Sequence, residues 1–459
     1  MAENKIINVE ESKSRRDYMR KLFDLYSNNC EKDVKHKLFE QYTTKNYDNI
    51  KKFIDKSLNT FREIIKQTST VYKKPAQRQL LVNGNEVDND RYNQLLKDVY
   101  IDTVMAHAHK ISKACTMCFL RVKYIEELDK IEIEIHTPDN VHIETETYSN
   151  KVMKSFSYSF INKNKEYWVY YTADKILYLN ASGSLLDENP LTDSIYKNEN
   201  PYGFIPVIPF FVEAPIFDFF SPLLNADAYD AGIWVMIYQA LLNRCSKYIS
   251  FSQVWVKGAD SEKLKNHNLD FSTLLDLGDD GEVGILKFDA NAISILDTHI
   301  REKNMLVAMQ YGISPSQFNM TGNVQSGYAL RIEKEGLQEV RISDIPICTQ
   351  TETSLFFILR FFNNYYYTEQ IPEDAILKFN PTEIEYPEPW DTEKTKWEFE
   401  MDKGISNQVD YMISKDPELT REEALAKLNL IKKENETINP KTTLDRIIDG
   451  RNNSNQERK

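Results

Sequence analysis

Four chain breakers crowd into one stretch. Gly312, Pro315, Gly322 and Gly327 fall within sixteen residues, in a chain of 459 residues with only 14 glycines and 16 prolines. Glycine admits positive φ and proline removes a backbone donor, so this stretch has to be a loop. The residues after it suit one long helix running to about residue 367. Ser326 stands at the N-cap position, ahead of Tyr328, Ala329, Leu330, Arg331 and Ile332. Gly336 weakens that helix, and Pro346 is expected to bend or break it.

A glycine-flanked loop on a helix N-terminus invites a phosphate. Gly322 and Gly327 have the spacing of a P-loop, but Tyr328 and Ala329 occupy the places of the lysine and hydroxyl residue that do its chemistry. No expected strand leads into the loop either. Two readings remain: an ordinary connection, or a loop displayed where something slides past.

No Gly-x-Ser-x-Gly elbow, His-Glu-x-x-His or dinucleotide fingerprint occurs, so no catalytic residue is assigned. His107, His109, Cys115 and Cys118 cluster, yet there is one Cys-x-x-Cys and both histidines lie just upstream of it. That spacing is unlike a zinc finger. A helix ending against the next strand accounts for it, and no metal or cofactor is expected.

The net charge of −13 argues against a static grip on nucleic acid, which needs basic patches. It suits a conduit wall that a duplex does not stick to. Residues 1–11 show no apolar signal core, and five cysteines without a pairing scheme suit a reducing compartment.

In chain order, residues 12–72 read as helix. Tyr18, Leu22, Leu25 and Tyr26 fall on one face, as do Phe53, Ile54, Leu58, Phe61 and Ile65. Arg15, Arg16, Arg20, Lys21, Lys51 and Lys52 read as a solvated face rather than an interaction arm. Asn83-Gly84-Asn85 marks a turn, and 92–113 a second helix. Alternation of apolar and charged residues predicts strands over 119–124 and 130–135, and further strands are expected over 152–160, 166–172 and 175–179. Residues 201–210 are extended and proline-punctuated. Ser221-Pro222 starts a helix. Within it, 233–242 is apolar nearly all round, hence buried on all sides. It is too short to cross a membrane, which takes about 20 residues.

Residues 246–289 form a small, mildly acidic unit: strands at 252–257 and 283–288, a short helix at 261–266 and a turn at 278–281. A helix over 291–311 comes next, with Ile295, Ile300, Met305 and Met309 among its apolar positions. Past the long helix come a strand at 376–379 and a linker marked by Pro381, Pro387 and Pro389. Helices from residue 391 include a capping box at Thr420 and Glu423. The tail past Asn452 is polar and expected to be disordered.

Gly322, Asn323, Ser326, Gly327, Ala329 and Leu330, in a loop that runs into a long bent helix, resemble the corresponding stretch of tailed-bacteriophage portal proteins. Gly203, Pro206, Val207 and Phe210 resemble the phrase that precedes the stem in that family. Gly404, Ser406 and the glutamate-rich helix beyond resemble its crown. The order of these phrases along the chain carries the resemblance.

It implies an α+β, mainly helical portal fold. A wing with a β-rich section would span 1–220, the first stem helix 221–245 and a small α/β clip 246–290. The second stem helix would span 291–312, the tunnel loop 313–327, the long bent wing helix with its returning strand 328–390, and the crown with the C-terminal tail 391–459. The resemblance makes Met320, Thr321, Gly322, Asn323, Val324, Gln325, Ser326 and Gly327 face DNA. It makes Ile233, Trp234, Met236, Ile237 and Leu241 pack between subunits, although the usual stem helix is more polar.

The function implied is a ring of identical copies, commonly a dodecamer, at one capsid vertex of the virion, assembled in the host cytoplasm. Double-stranded DNA passes through it without sequence specificity. Its partners are terminase, which hydrolyses the ATP, the major capsid and scaffolding proteins, and a head–tail adaptor; no membrane is involved. Two other classes stay open: a DNA-processing enzyme of a mobile element, and an adaptor without a pore.

Overall fold

The computed structural model describes residues 5–42, 44–191, 194–195, 198–216, 218–220, 225–250, 253–257, 282–286, 291–314, 335–383, 390–416 and 419–438. The helical reading of 12–72 resolves into α1 (Lys13–Tyr26), α2 (Glu31–Gln41), α3 (Thr44–Ile50) and α4 (Thr60–Thr68). Leu22, Leu25, Phe61 and Ile65 are buried as the pattern requires, whereas Leu58 lies in a connection and is exposed. Asn59 caps α4 by accepting from the Arg62 amide.

β1 (Gln77–Val82) and β2 (Asn85–Val87) make a hairpin whose turn residues, Asn83 and Gly84, both have positive φ. The helix expected over 92–113 is two: α5 (Asp90–Asp98) and α6 (Ile101–Cys115). Tyr100 between them adopts a left-handed conformation with φ 51°, which ends the first helix without glycine or proline.

Then come β3 (Met117–Ile125), β4 (Lys130–His136), β5 (Val141–Glu146), β6 (Ser149–Asn162), β7 (Lys165–Tyr171) and β8 (Ile176–Asn180). Short β9 (Glu188–Asn189) and β10 (Ser194–Ile195) precede β11 (Val207–Phe211). β5 was not expected. It begins directly after the turn at Pro138–Asn140.

α7 (Ala226–Ser250), β12 (Gln253–Lys257), β13 (Glu282–Leu286) and α8 (Asn291–Gln310) are next. The long helix α9 (Glu335–Tyr366) leads to β14 (Ile376–Asn380), and α10 (Trp390–Asp402), α11 (Gln408–Lys415) and α12 (Arg421–Ile438) come last. The expected features at 221–222, 261–266, 278–281, 328–334, 387–389 and beyond 452 lie outside the described residues.

Strand pairing is antiparallel throughout the described residues, in sheets ordered β14-β1-β2, β11-β3-β4 and β5-β6-β7-β8, with pairs β9–β10 and β12–β13. The fold is thus α+β and mainly helical. The chain forms two units: the described residues up to 383 lie in the larger one and α10–α12 in the smaller. In the smaller unit Thr420 and Glu423 make the expected capping box, and Asn407 with Asp410 makes a second.

In the larger unit the main core forms around α9. Leu355, Phe356, Leu359 and Phe362 pack with Tyr92, Leu120, Val122 and Phe210. α9 continues through Pro346 without breaking. Polar side chains on α9 fix its position. Glu352 takes a two-point ion pair from Arg78, at 2.7 and 2.9 Å, with both side chains 3% exposed or less. Arg341 donates to the carbonyls of Thr70 and Thr382, Asp344 accepts from Lys113, and Asn363 accepts from Arg91.

The basic residues of α1 are only partly a solvated face. Lys21 is exposed, but Arg15 is half-buried. It donates to the carbonyls of Pro138 and Val141 and lies 3.7 Å from the Phe220 ring centre, while Arg16 sits over Trp168. Burial, aided by neighbouring Arg16, lowers the Arg15 pKa to about 10. The helix docks on the β-rich section through these guanidinium groups, and a charge run in sequence does not distinguish them from solvated ones.

The buried ion pairs set two expectations. Glu352→Ala leaves the buried Arg78 guanidinium with Asp102, a half-exposed carboxylate, as its remaining ionic partner, so urea unfolding at neutral pH should show a loss of ~3 kcal/mol, the low end for a broken buried pair. Burial opposes ionisation of Glu134, but His136, Arg121 and Lys123 outweigh it and hold its carboxyl at about 2. A carboxyl depressed in the folded state stabilises fully above its unfolded pKa and loses that stabilisation as pH falls toward 2. Unfolding midpoints measured from pH 6 to 2 should therefore fall less steeply for Glu134→Gln than for the native chain.

Candidate functional site

α7 has apolar side chains on all sides because its own chain covers it on more than one side. Ile233, Met236 and Ile237 are at most 3% exposed and pack with Met19, Leu22, Leu25, Leu38 and Phe61 of α1, α2 and α4. Gly232 permits this approach, since a Cβ there would lie 3.2 Å from Leu25 and 3.3 Å from Phe61. These three residues, expected between subunits, are thus enclosed within one chain. Trp234 and Leu241, from the same expectation, are only half-buried. Trp234 stacks at a tilt with Tyr238, and Lys303 of α8 reaches over both rings.

α8 turns Ile300 inward and leaves Ile295, Leu306 and Met309 outward, each more than half exposed. Their spacings of eleven and three place them on one helix face. Between α7 and α8 the chain makes the β12–β13 hairpin, with Gln253 opposite Leu286 and Lys257 opposite Glu282. This agrees with the strands read from sequence there.

The loop residues Met320, Thr321, Gly322, Asn323, Val324, Gln325, Ser326 and Gly327 lie outside the described residues. The two chain ends that flank them are described. α8 stops in a Schellman motif: the Ile313 amide donates to Ala308 and the Gly312 amide to Met309, with Gly312 at φ 73°. Ile313 then packs with Ala308, Ile64 and Leu337.

Gly312 also abuts Gly336, in the first turn of α9. A Cβ on Gly312 would lie 2.8 Å from the Gly336 carbonyl oxygen, and one on Gly336 would lie 2.5 Å from that of Gly312. The glycine that weakens the helix therefore lets two backbones meet. Just before this neck, the Tyr311 hydroxyl donates to Asp227 at 2.9 Å and lies 3.4 Å from Asn225 Oδ1. Asn225 in turn donates to the carbonyls of Lys113 and Ala114 at the end of α6. Sequence reasoning missed this junction; only the turn propensity of Gly312 signalled it.

The histidine–cysteine cluster is dispersed. His107 is exposed, and Cys115 packs in the cluster under α7. Cys118 donates to the Ala108 carbonyl. His109 stacks on Phe210, 3.4 Å from an Asp344 oxygen. Burial holds the His109 imidazole below its usual pKa against the pull of Asp344, and burial pushes both thiols up. Among the described residues no group of three or more His, Cys, Asp or Glu is placed to hold a metal, and no helix is long and apolar enough to cross a membrane.

The chain belongs to the phage portal proteins: the family described as "Phage portal protein, SPP1 Gp6-like" matches residues 7–385. No curated protein matches it. Among solved structures, a chain of "Virion of native gene transfer agent (GTA) particle" is 12% identical with a TM-score of 0.44, over 79% of this chain and 91% of that one. A chain of "Neck of empty GTA particle computed with C6 symmetry" is 12% identical with a TM-score of 0.41, over 77% and 87%. A chain of "Neck of native GTA particle computed with C12 symmetry" is 13% identical with a TM-score of 0.38, over 77% and 88%.

Gly336→Ala forces its new Cβ into the Gly312 carbonyl. It should cost ~1–3 kcal/mol as an overpacked contact, read as a lower melting temperature by calorimetry. An unchanged melting temperature would mean that the neck is not closed in solution.

Proposed function

We propose that copies of this chain close into a ring, a dodecamer, at one capsid vertex and form the channel through which double-stranded DNA is packaged and ejected. The match of residues 7–385 to the portal family carries this reading. The outward apolar face of α8, Ile295, Leu306 and Met309, supports it. A closed ring joins two unlike faces of each subunit. That face meets the half-buried edge of the neighbour's α7, at Trp234, Tyr238 and Leu241, in place of the enclosed Ile233, Met236 and Ile237.

The glycine-flanked loop, Met320 to Gly327, faces the duplex. Asn323 and Gln325 give hydrogen bonds to phosphate that carry no sequence information. The acidic net charge of −13 keeps the DNA from sticking. The segment around β12–β13 acts as the clip that meets terminase and the head–tail adaptor, and α10–α12 belong to the crown. Capsid and scaffolding proteins surround the ring as it assembles in the host cytoplasm. The chain hydrolyses nothing; terminase supplies the ATPase.

A doubly charged face, Leu306→Asp with Met309→Asp, should leave a folded chain by circular dichroism that sediments as a monomer where the native chain forms rings. Rings of native size from that variant would remove α8 from the interface. A native chain that stays monomeric under assembly conditions would sink the channel reading and leave the adaptor. Gly322→Pro should keep the ring and reduce the DNA packaged per particle; normal filling would show that the loop does not need to move.

A further inference from the structure

Two stretches of chain, one after the other, are closed at their ends in the same place. The first runs through α7, the β12–β13 hairpin and α8. Its ends meet where the Tyr311 hydroxyl donates to Asp227 and faces Asn225. The second runs from Gly312 to Gly336, and its ends meet backbone to backbone. The two closures share the Tyr311–Gly312 peptide. Asn225, 5% exposed, pins them to the body through the carbonyls of Lys113 and Ala114.

Without the Tyr311 hydroxyl bond, the shared peptide is still held by the Schellman turn and by Ile313 in its apolar cluster. Those contacts fix it to α8 and to α4, and Val307 and the Tyr311 ring pack with Ala228 and Tyr229 of α7. Apolar contact leaves the register of the two helix ends open, and the Tyr311 hydroxyl supplies the directional bond between them. Burial, reinforced by the carboxylate of Asp227, raises its hydroxyl pKa far above the usual value, so it stays a donor across the physiological range.

We propose that Tyr311 is a positioning residue for the channel loop. Its hydroxyl joins the two closures into one anchor, so the segment after Gly312 departs from a fixed point on α6 and α7 as well as from the end of α8. Force on that segment is then borne at the junction. This rests on the portal reading above for its function, though not for its geometry.

The test uses the full chain with Tyr311→Phe, which keeps the aromatic ring and loses the donor. Amide hydrogen exchange should rise about tenfold at residues 225–229 and 308–313, with β3 and β4 unchanged. Asp227→Ala removes the same bond together with the acceptor of the Ala228 amide, so the double variant should be no worse than Asp227→Ala alone. Unchanged exchange, or additive effects, would overturn the anchor. In assembly, Tyr311→Phe rings should match native rings in mass while packaging less DNA. Normal packaging with raised exchange would reduce Tyr311 to a stabilising contact and overturn its positioning role. If native chains form no ring, the portal reading fails, and the exchange result alone decides the anchor.

Discussion

A carboxylate and a guanidinium shut away from water decide where the long helix lies. Leu355, Phe356, Leu359 and Phe362 give α9 its burial, but apolar contact is non-directional and tolerates a helix shifted along its axis. The Arg78–Glu352 pair does not tolerate it. Displaced from Arg78, Glu352 keeps the cost of desolvation and loses its compensation, and Arg78 is left with Asp102. Arg341, Asp344 and Asn363 repeat the constraint on either side, each reaching a different element. Four polar contacts along one helix therefore fix a register that the apolar face leaves open. The sheets built from β1 and from β3 inherit their placement from it.

The N-terminal region is attached by a similar device on a smaller scale. Arg15 and Arg16 carry α1 onto the β-rich section through carbonyls and aromatic faces. Ahead of α1, Ile7 is buried against Gly183, whose φ of 86° and missing side chain make room for the Ile7 carbonyl. Guanidinium groups serve this role because their planar donors meet two acceptors at once while stacking on a ring.

Much of this was legible in the sequence where the cause is local. Period-two alternation located β3 and β4, and strands were also expected where β6, β7 and β8 lie. Helical spacing found α1, α4, α7 and α8, and Asn83-Gly84 marked a hairpin turn. What was not legible is what one segment does to another. The left-handed Tyr100 splits a helix with no breaker residue present, and β5 hides behind the turn at Pro138. An apolar helix such as α7 reads the same whether its own chain or a neighbouring copy covers it. The family shows in the order of several short phrases, a property of the whole chain that no single residue carries.

The pair of glycines at the neck has an evolutionary corollary. When two side chains clash, shrinking one usually accommodates the other. Here each would-be side chain runs into peptide oxygen, which every amino acid possesses, so no change at the opposite position can compensate. The two sites are locked independently, and a lineage that lost either one would have to part the two backbones and rebuild the junction between α8 and α9.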